Sequence, residues 1–245
     1  MPDTATTPLR FTHLISDCDG VLIDSEAVAL QALLELLAPR LPNLPQGVTL
    51  QGLIEPRLGQ RLVPLMQDIY KELGLPQLPA DEIMAIGNAV DAACDAQLRA
   101  VPGVAQALAA IALPKAVASN SVSARVLSAL ERTGMAPLFD QRVFTPDLVG
   151  HAKPHPGVYL AAAAAFGVPP GQCLVLEDSV TGVTAAVAAG MTVLGFIGGG
   201  HIAAGQEARL KAAGAHVVFS DMAKLPALVV AVLDTGDRLT ALKLI

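Results

Sequence analysis

The sequence predicts an α/β fold, a doubly wound parallel sheet with a small helical domain inserted after its first strand. Three observations predict it. Six short runs are apolar on both faces, as strands buried between two layers of helices must be. Helical stretches, several closed by a glycine, separate most of them, which is the alternation of a parallel sheet. The stretch 26–100 breaks that alternation, because it contains no convincing strand.

Taken in order, "FTHLISD" (11–17) is the first strand. In "EAVALQALLELLAPRL" (26–41) positions 30, 33, 34 and 37 are apolar and form one face of a helix. "RLGQRLVPLMQDIYKELG" (57–74) and "ADEIMAIGNAVDAACDAQLR" (80–99) also read as helices, and Pro39, Pro42, Pro45, Pro76 and Pro79 punctuate the joints. The chain rejoins the alternation near "VPGV" (101–104), which divides it into an α/β core, 1–25 and 101–245, and a helical insert, 26–100. "KAVASN" (115–120) is the second strand, followed by the helix "SVSARVLSALERTGM" (121–135), which ends near Gly134. "RVFTP" (142–146) is the third strand. "HPGVYLAAAAAFG" (155–167) is a helix with Pro156 in its first turn and Gly167 at its close. "CLVLED" (173–178), "TVLGFI" (192–197) and "HVVFS" (216–220) complete the sheet, with the helix "SVTGVTAAVAAG" (179–190) after the fourth strand.

Ser179 to Gly200 carries no charge and is long enough to cross a bilayer. Its glycines at 182, 190, 195 and 198–200 favour a helix feeding a buried strand instead. Composition narrows the function. Hydrophobic residues make up 53% and charged ones 16%, which suits a large core, and a net charge of −6 with pI near 5.3 is no footprint for nucleic acid or an anionic membrane. Cys18, Cys94 and Cys173 are scattered and odd in number, poor material for disulfides or zinc, and "MPDTATTPLR" has no apolar leader. A cytoplasmic location is the expectation. The core shows no stripe that would define an oligomer interface.

Ligands of doubly wound sheets sit at the carboxyl ends of the strands. There the sequence places Asp17 and Asp19, then Ser119, Asn120 and Ser121, then Lys153 in the loop after the third strand, then Glu177 and Asp178. Crowded acids repel one another, and a dry site raises their pKa values. A hard cation such as Mg²⁺ relieves that repulsion and also takes phosphate oxygens, while a lysine is a compact charge for a phosphate. A carboxylate can accept a phosphoryl group, and a second one nearby can move the protons.

The segments "DCDGVLIDSE", "VASNS", "AKPHP" and "LEDSVTG", in that order, resemble the four motifs of the haloacid dehalogenase superfamily, and most closely its branch of phosphoglycolate phosphatases and β-phosphoglucomutases, which carries a helical cap after the first motif. The resemblance covers roughly 11–25 and 101–220. It implies a Rossmann-like core, Mg²⁺ as cofactor and a small phosphorylated metabolite as substrate. By that resemblance Asp17 is the nucleophile and Asp19 the general acid/base. Ser119 and the Asn120 backbone hold phosphate, and Lys153 neutralises Asp17 and the transferred group. Asp17, the Asp19 carbonyl and Asp178 bind the metal, with Glu177 as a direct or water-mediated ligand. Gly20 keeps the turn after Asp19 tight enough for the backbone to reach phosphate. The segments "DCDGVLIDSE" and "GFIGGGHI" look most like phosphatases of sugar phosphates such as 6-phosphogluconate.

The chain departs from that pattern at two places. Gly182 stands where some members have another acid, and Gly157 where many have an aspartate, a loss read as a missing helix-start contact. Within "LQGLIEPRLGQRL" (50–62), which resembles the cap segment facing the substrate, Arg57 is the first candidate for contact with an anionic substrate and Arg61 the second. Cys18 reads as packing, and "GGGH" (198–201) as a flexible loop near the site. His151, His155 and His201 lack a metal-ligand spacing. Hinges are expected near Ser25 and at 101–103. Three other functions compete. A mutase of this branch has a histidine ten residues after the acid/base, where this chain has Ala29. A dehalogenase needs no second aspartate or metal acids. A phospho-acceptor signalling or binding module is about half this length and lacks the insert.

Overall fold

The computed structural model describes residues 11–58, 60–199 and 205–235. Its sheet has six parallel strands, β1 (His13–Ser16), β2 (Lys115–Ala118), β3 (Val143–Phe144), β4 (Cys173–Glu177), β5 (Thr192–Phe196) and β6 (Val217–Phe219), in the order β3-β2-β1-β4-β5-β6. All lie inside the runs read from the sequence. The strand order reverses at β1, so β1 is central and its carboxyl end faces the crevice where such sheets bind ligands. Side chains alternate between two apolar layers. Leu14, Val117, Leu174, Leu176, Leu194 and Phe196 face one, while Ile15, Ala116, Ala118, Val175, Val193 and Val218 face the other. Burial on both faces is why these strands are apolar throughout.

After β1 come α1 (Glu26–Leu37), α2 (Leu50–Ile54), α3 (Leu62–Glu72) and α4 (Ala80–Ala96), before the chain returns through α5 (Val104–Ala109) to β2. The core then adds α6 (Ser123–Arg132), α7 (Pro146–Val149), α8 (Gly157–Phe166), α9 (Val180–Ala188), α10 (Gln206–Ala213) and α11 (Leu225–Thr235). One layer takes buried residues of α5, α6 and α11, and the other those of α8, α9 and α10. The stretch 179–200 resolves into α9 and β5 over its described residues, and none of the described helices is long and apolar enough to cross a membrane.

The insert has its own apolar cluster, built from Leu33, Leu37, Ile54, Met66, Ile69 and Ile86 among others. Its third helix begins later than the pattern over 57–74 suggests. Pro64 lacks the N–H that an earlier start would require, so α3 opens at Leu62 with the proline in its first turn. The short α2 is capped by Thr49, whose hydroxyl accepts from the Gly52 N–H at 3.0 Å. The two crossings between core and insert pair with each other: Asp24 N–H donates to Arg99 O and Val101 N–H to Leu22 O, each at 3.0 Å, and Arg99 pairs with Asp24 at 2.9 Å. Gly103, at φ +78°, follows directly.

Candidate active site

Asp17 is the first residue past β1, and its N–H extends the ladder by donating to Leu176 O at 2.9 Å. That fixes its carboxylate at the strand tip. The chain then turns tightly. Gly20 adopts φ +82°, its N–H reaches Ile23 O at 2.7 Å, and the Leu22 and Ile23 N–H groups converge on Cys18 O. Cys18 is fully buried in the core.

Lys153 meets Asp17 from the loop before α8. Its buried Nζ lies 2.5 Å from Asp17 Oδ1 and 2.6 Å from Glu177 Oε1. Asn120 holds that loop in place. Its Oδ1 accepts from Lys153 N–H at 2.7 Å and its Nδ2 donates to Lys153 O at 3.3 Å. The Asn120 side chain is thus occupied in positioning the lysine. Gly157 N–H donates to His155 Nδ1 at 3.1 Å, a side-chain contact at the start of α8.

Glu177 is fully buried and both its oxygens are engaged. Oε1 accepts from Lys153 and, at 2.7 Å, from Tyr159 Oη, while Oε2 accepts from Asp178 N–H, Ser179 N–H and Ser179 Oγ at 3.0–3.1 Å. The glycine at 182 now has a reason, because a Cβ there would stand 1.7 Å from Glu177 Oε1.

Asp19 reaches the cavity with a carboxylate held on both oxygens. Oδ1 accepts from Ser25 Oγ at 2.6 Å and faces an Arg125 nitrogen at 3.3 Å, and Oδ2 accepts from Ser121 Oγ at 2.8 Å and more weakly from Ser119 Oγ at 3.4 Å. Ser119 Oγ in turn accepts from Ser121 N–H at 2.9 Å.

Charge is unbalanced in this cluster. Burial pushes the Asp17 carboxyl well above the usual range; Lys153 opposes, but Glu177, Asp178 and Asp19 add to the rise. Burial and Glu177 do the same to Asp178. Burial works to lower Lys153, yet Asp17 and Glu177 outweigh it and hold the ammonium well above its ordinary value. Ligand atoms of Asp17, Glu177 and Asp178 all lie within 4.8 Å of one another. Three buried carboxylates against one lysine, all hard oxygen donors, fit a divalent cation. The engaged oxygens of Glu177 make the lysine its first duty, which leaves Asp17 and Asp178 as the stronger ligands.

Asp17, Asp19, Ser119, Asn120, Lys153 and Asp178 line one cavity of about 290 Å³ between core and insert. Gly20 shapes its turn and Glu177 lies behind Lys153. Arg57 is not brought there, which corrects its place as first specificity candidate. Its guanidinium donates to Leu53 O at 2.6 Å and pairs with Glu72, binding α2 to α3, and Arg61 lines the cavity instead. Arg57→Ala is therefore expected to lower thermal stability by a degree or more while leaving kcat/KM within about twofold, and Arg61→Ala to raise KM, checked by melting curves and steady-state kinetics. His151 and His155 stack on each other with ring centres 4.3 Å apart and belong to no metal-capable cluster among the described residues. His201 and Gly200 of "GGGH" lie outside the described residues.

The sequence reading missed Ser25, Tyr159, Arg125 and Asp91 as site residues. Only Arg125 left a signal. It occupies the first turn of α6, where a cation opposes the helix dipole.

Comparison with known proteins identifies the family. A family model described as a hydrolase, haloacid dehalogenase-like hydrolase, matches residues 11–190. The 6-phosphogluconate phosphatase of Escherichia coli K12 is 26% identical over 194 residues, 78% of this chain and 85% of that protein. Hexitol phosphatase B of the same organism is 30% identical over 193 residues, 76% and 83% respectively. A HAD family hydrolase of Deinococcus radiodurans R1, solved with bound phosphate and sodium, superposes with a TM-score of 0.72 at 32% identity, covering 93% of this chain and 99% of that one.

Proposed function

The chain belongs to the haloacid dehalogenase-like hydrolases, and we propose that it is a Mg²⁺-dependent phosphatase that hydrolyses a small phosphorylated sugar or similar metabolite through an aspartyl-phosphate on Asp17. One observation carries the reading. A buried carboxylate, Asp17, is paired with Lys153 at 2.5 Å in the same cavity as a second aspartate, Asp19. Relatives named for phosphogluconate, hexitol and fructose-1-phosphate hydrolysis support the substrate class.

In the first step an Asp17 oxygen attacks phosphorus, the ester P–O bond breaks, and Asp19 protonates the leaving alcohol oxygen. In the second, Asp19 takes a proton from water as the water oxygen attacks phosphorus, the bond to Asp17 breaks, and inorganic phosphate leaves. Lys153 balances negative charge on Asp17 and on the transferred group, and Ser119 Oγ with the Asn120 backbone supplies donors for phosphate oxygens. The Asp17 and Asp178 carboxylates and the Asp19 carbonyl would hold Mg²⁺, which supplies neutralisation of phosphoryl charge. The insert acts as a cap that excludes water, moving on the paired crossings at 22–24 and 99–103.

Hydrolysis is preferred to mutase chemistry because Ala29, which lines the cavity, carries no polar group where the mutase pattern has histidine. The test is phosphate release from a panel of phosphorylated metabolites. With Mg²⁺ release is expected, and with excess EDTA it is expected to fall at least about a hundredfold and return when Mg²⁺ is restored. Release that ignores EDTA would refute the metal, and no release from any ester would refute the phosphatase.

A further inference from the structure

Asp91 and Arg125 face each other across the cavity, one from α4 of the insert and one from α6 of the core, with an Arg125 nitrogen 3.7 Å from Asp91 Oδ1. The same guanidinium donates to Ser121 Oγ at 3.0 Å and lies 3.3 Å from Asp19 Oδ1. The pair stands beside the residues assigned to catalysis and takes no part in the steps above.

We propose that Arg125 and Asp91 form the specificity pair of the cavity, reading neighbouring hydroxyl groups of a polyol or sugar phosphate, Arg125 as donor and Asp91 as acceptor. This rests on the phosphatase reading and narrows its substrate class.

Two features favour hydroxyls over a second anion. Arg125 is already neutralised by two carboxylates, so a phosphate or carboxylate drawn to it would stand against Asp19 and Asp91. A hydroxyl carries no such penalty. It can accept from the arginine and donate to Asp91 at once, and the paired carboxylate and guanidinium match vicinal hydroxyls, which both accept and donate. The placement also joins recognition to closure, since a hydroxylated chain that bridges Asp91 and Arg125 links insert to core while its phosphate lies at Asp17.

Arg61 differs. It lines the cavity from the insert and makes no ion pair among the described residues, so any preference for a charged tail belongs to it and not to Arg125.

The experiment compares kcat/KM for a hexitol phosphate, a hexose bisphosphate and p-nitrophenyl phosphate, all with Mg²⁺. The Asp91 side chain is 59% exposed, so Asp91→Asn is the first variant, and Arg125→Lys, checked for folding by circular dichroism, is the second. For each variant the ratio of hexitol phosphate to p-nitrophenyl phosphate is expected to drop about tenfold or more, mostly in KM for Asp91→Asn. An equal loss on both esters, or an unchanged ratio, overturns the pair as a reader of hydroxyls. A preference of the wild type for the bisphosphate that Arg125→Lys abolishes and Arg61→Ala leaves intact overturns it in favour of a second anion. Failure of the wild type to hydrolyse any of the three removes the phosphatase reading itself and this inference with it.

Discussion

Asp17→Asn is expected to lower phosphate release by about ten-thousandfold or more, some 5.5 kcal/mol on the barrier, for every ester the protein accepts. The carboxamide keeps the shape of the side chain and its place at the tip of β1, but it is a poor nucleophile and a poor partner for Lys153. The uniformity across substrates is the informative part. A residue that reads the substrate would change their ranking, whereas a nucleophile lowers all alike. Melting in EDTA at pH 7 separates chemistry from folding. Burial and the neighbouring acids raise Asp17 in the folded protein above its unfolded value, even against Lys153. The ionised form therefore costs stability as pH rises past the unfolded value, and removing the charge is not expected to lower Tm at neutral pH. Full activity in Asp17→Asn would exclude the covalent route.

Gly182→Ala is expected to be among the most damaging single methyl additions in the chain. The new Cβ would overlap the Glu177 carboxylate, at 1.7 Å from Oε1 and 2.0 Å from Cδ. Glu177 has nowhere inexpensive to go, because moving it breaks its bonds to Lys153, Tyr159 and Ser179, the N-cap of α9, together. Overpacking of a core costs about 1–3 kcal/mol and disruption of a buried ion pair about 3–5 kcal/mol. A loss near 3 kcal/mol would lower Tm by roughly 6–12 °C in a chain of this size. Turnover should fall as well, since the displaced Glu177 no longer holds Lys153 against Asp17. A double-mutant cycle decides the cause. In a Glu177→Ala background the steric conflict is gone, so adding Gly182→Ala should cost under about 1 kcal/mol. The same large cost in both backgrounds would show that the glycine serves something other than room for Glu177.

The two positions differ in how far the sequence reveals them. Asp17 stands out because a carboxylate at the end of a run apolar on both faces has no use in packing. Gly182 reads in the sequence as a missing acid, a gap in a motif. Only the folded chain shows that the space is taken by Glu177. Likewise, Arg57 and Arg61 are indistinguishable as arginines in one stretch. Pro64 delays α3 and leaves Arg61 just ahead of it at the cavity, while Arg57 falls back onto Glu72.

The sequence by itself determined the six strands and the residues that crowd their carboxyl ends, because period-two burial and the position of a residue relative to its strand are local properties of the chain. It also determined the insert as helical, through proline punctuation and apolar spacing. It did not reveal α10 and α11, whose places depend on the faces of the sheet left for them to cover. Only the tertiary structure decided that Asn120 serves the Lys153 loop, that Tyr159 and Gly182 serve Glu177, and that Asp91 meets Arg125 across the cavity. Those pairings join residues 18 to 34 positions apart or set one glycine against a side chain five residues away. They depend on side-chain direction and on how insert and core are packed, and neither leaves a periodic trace in the order of amino acids.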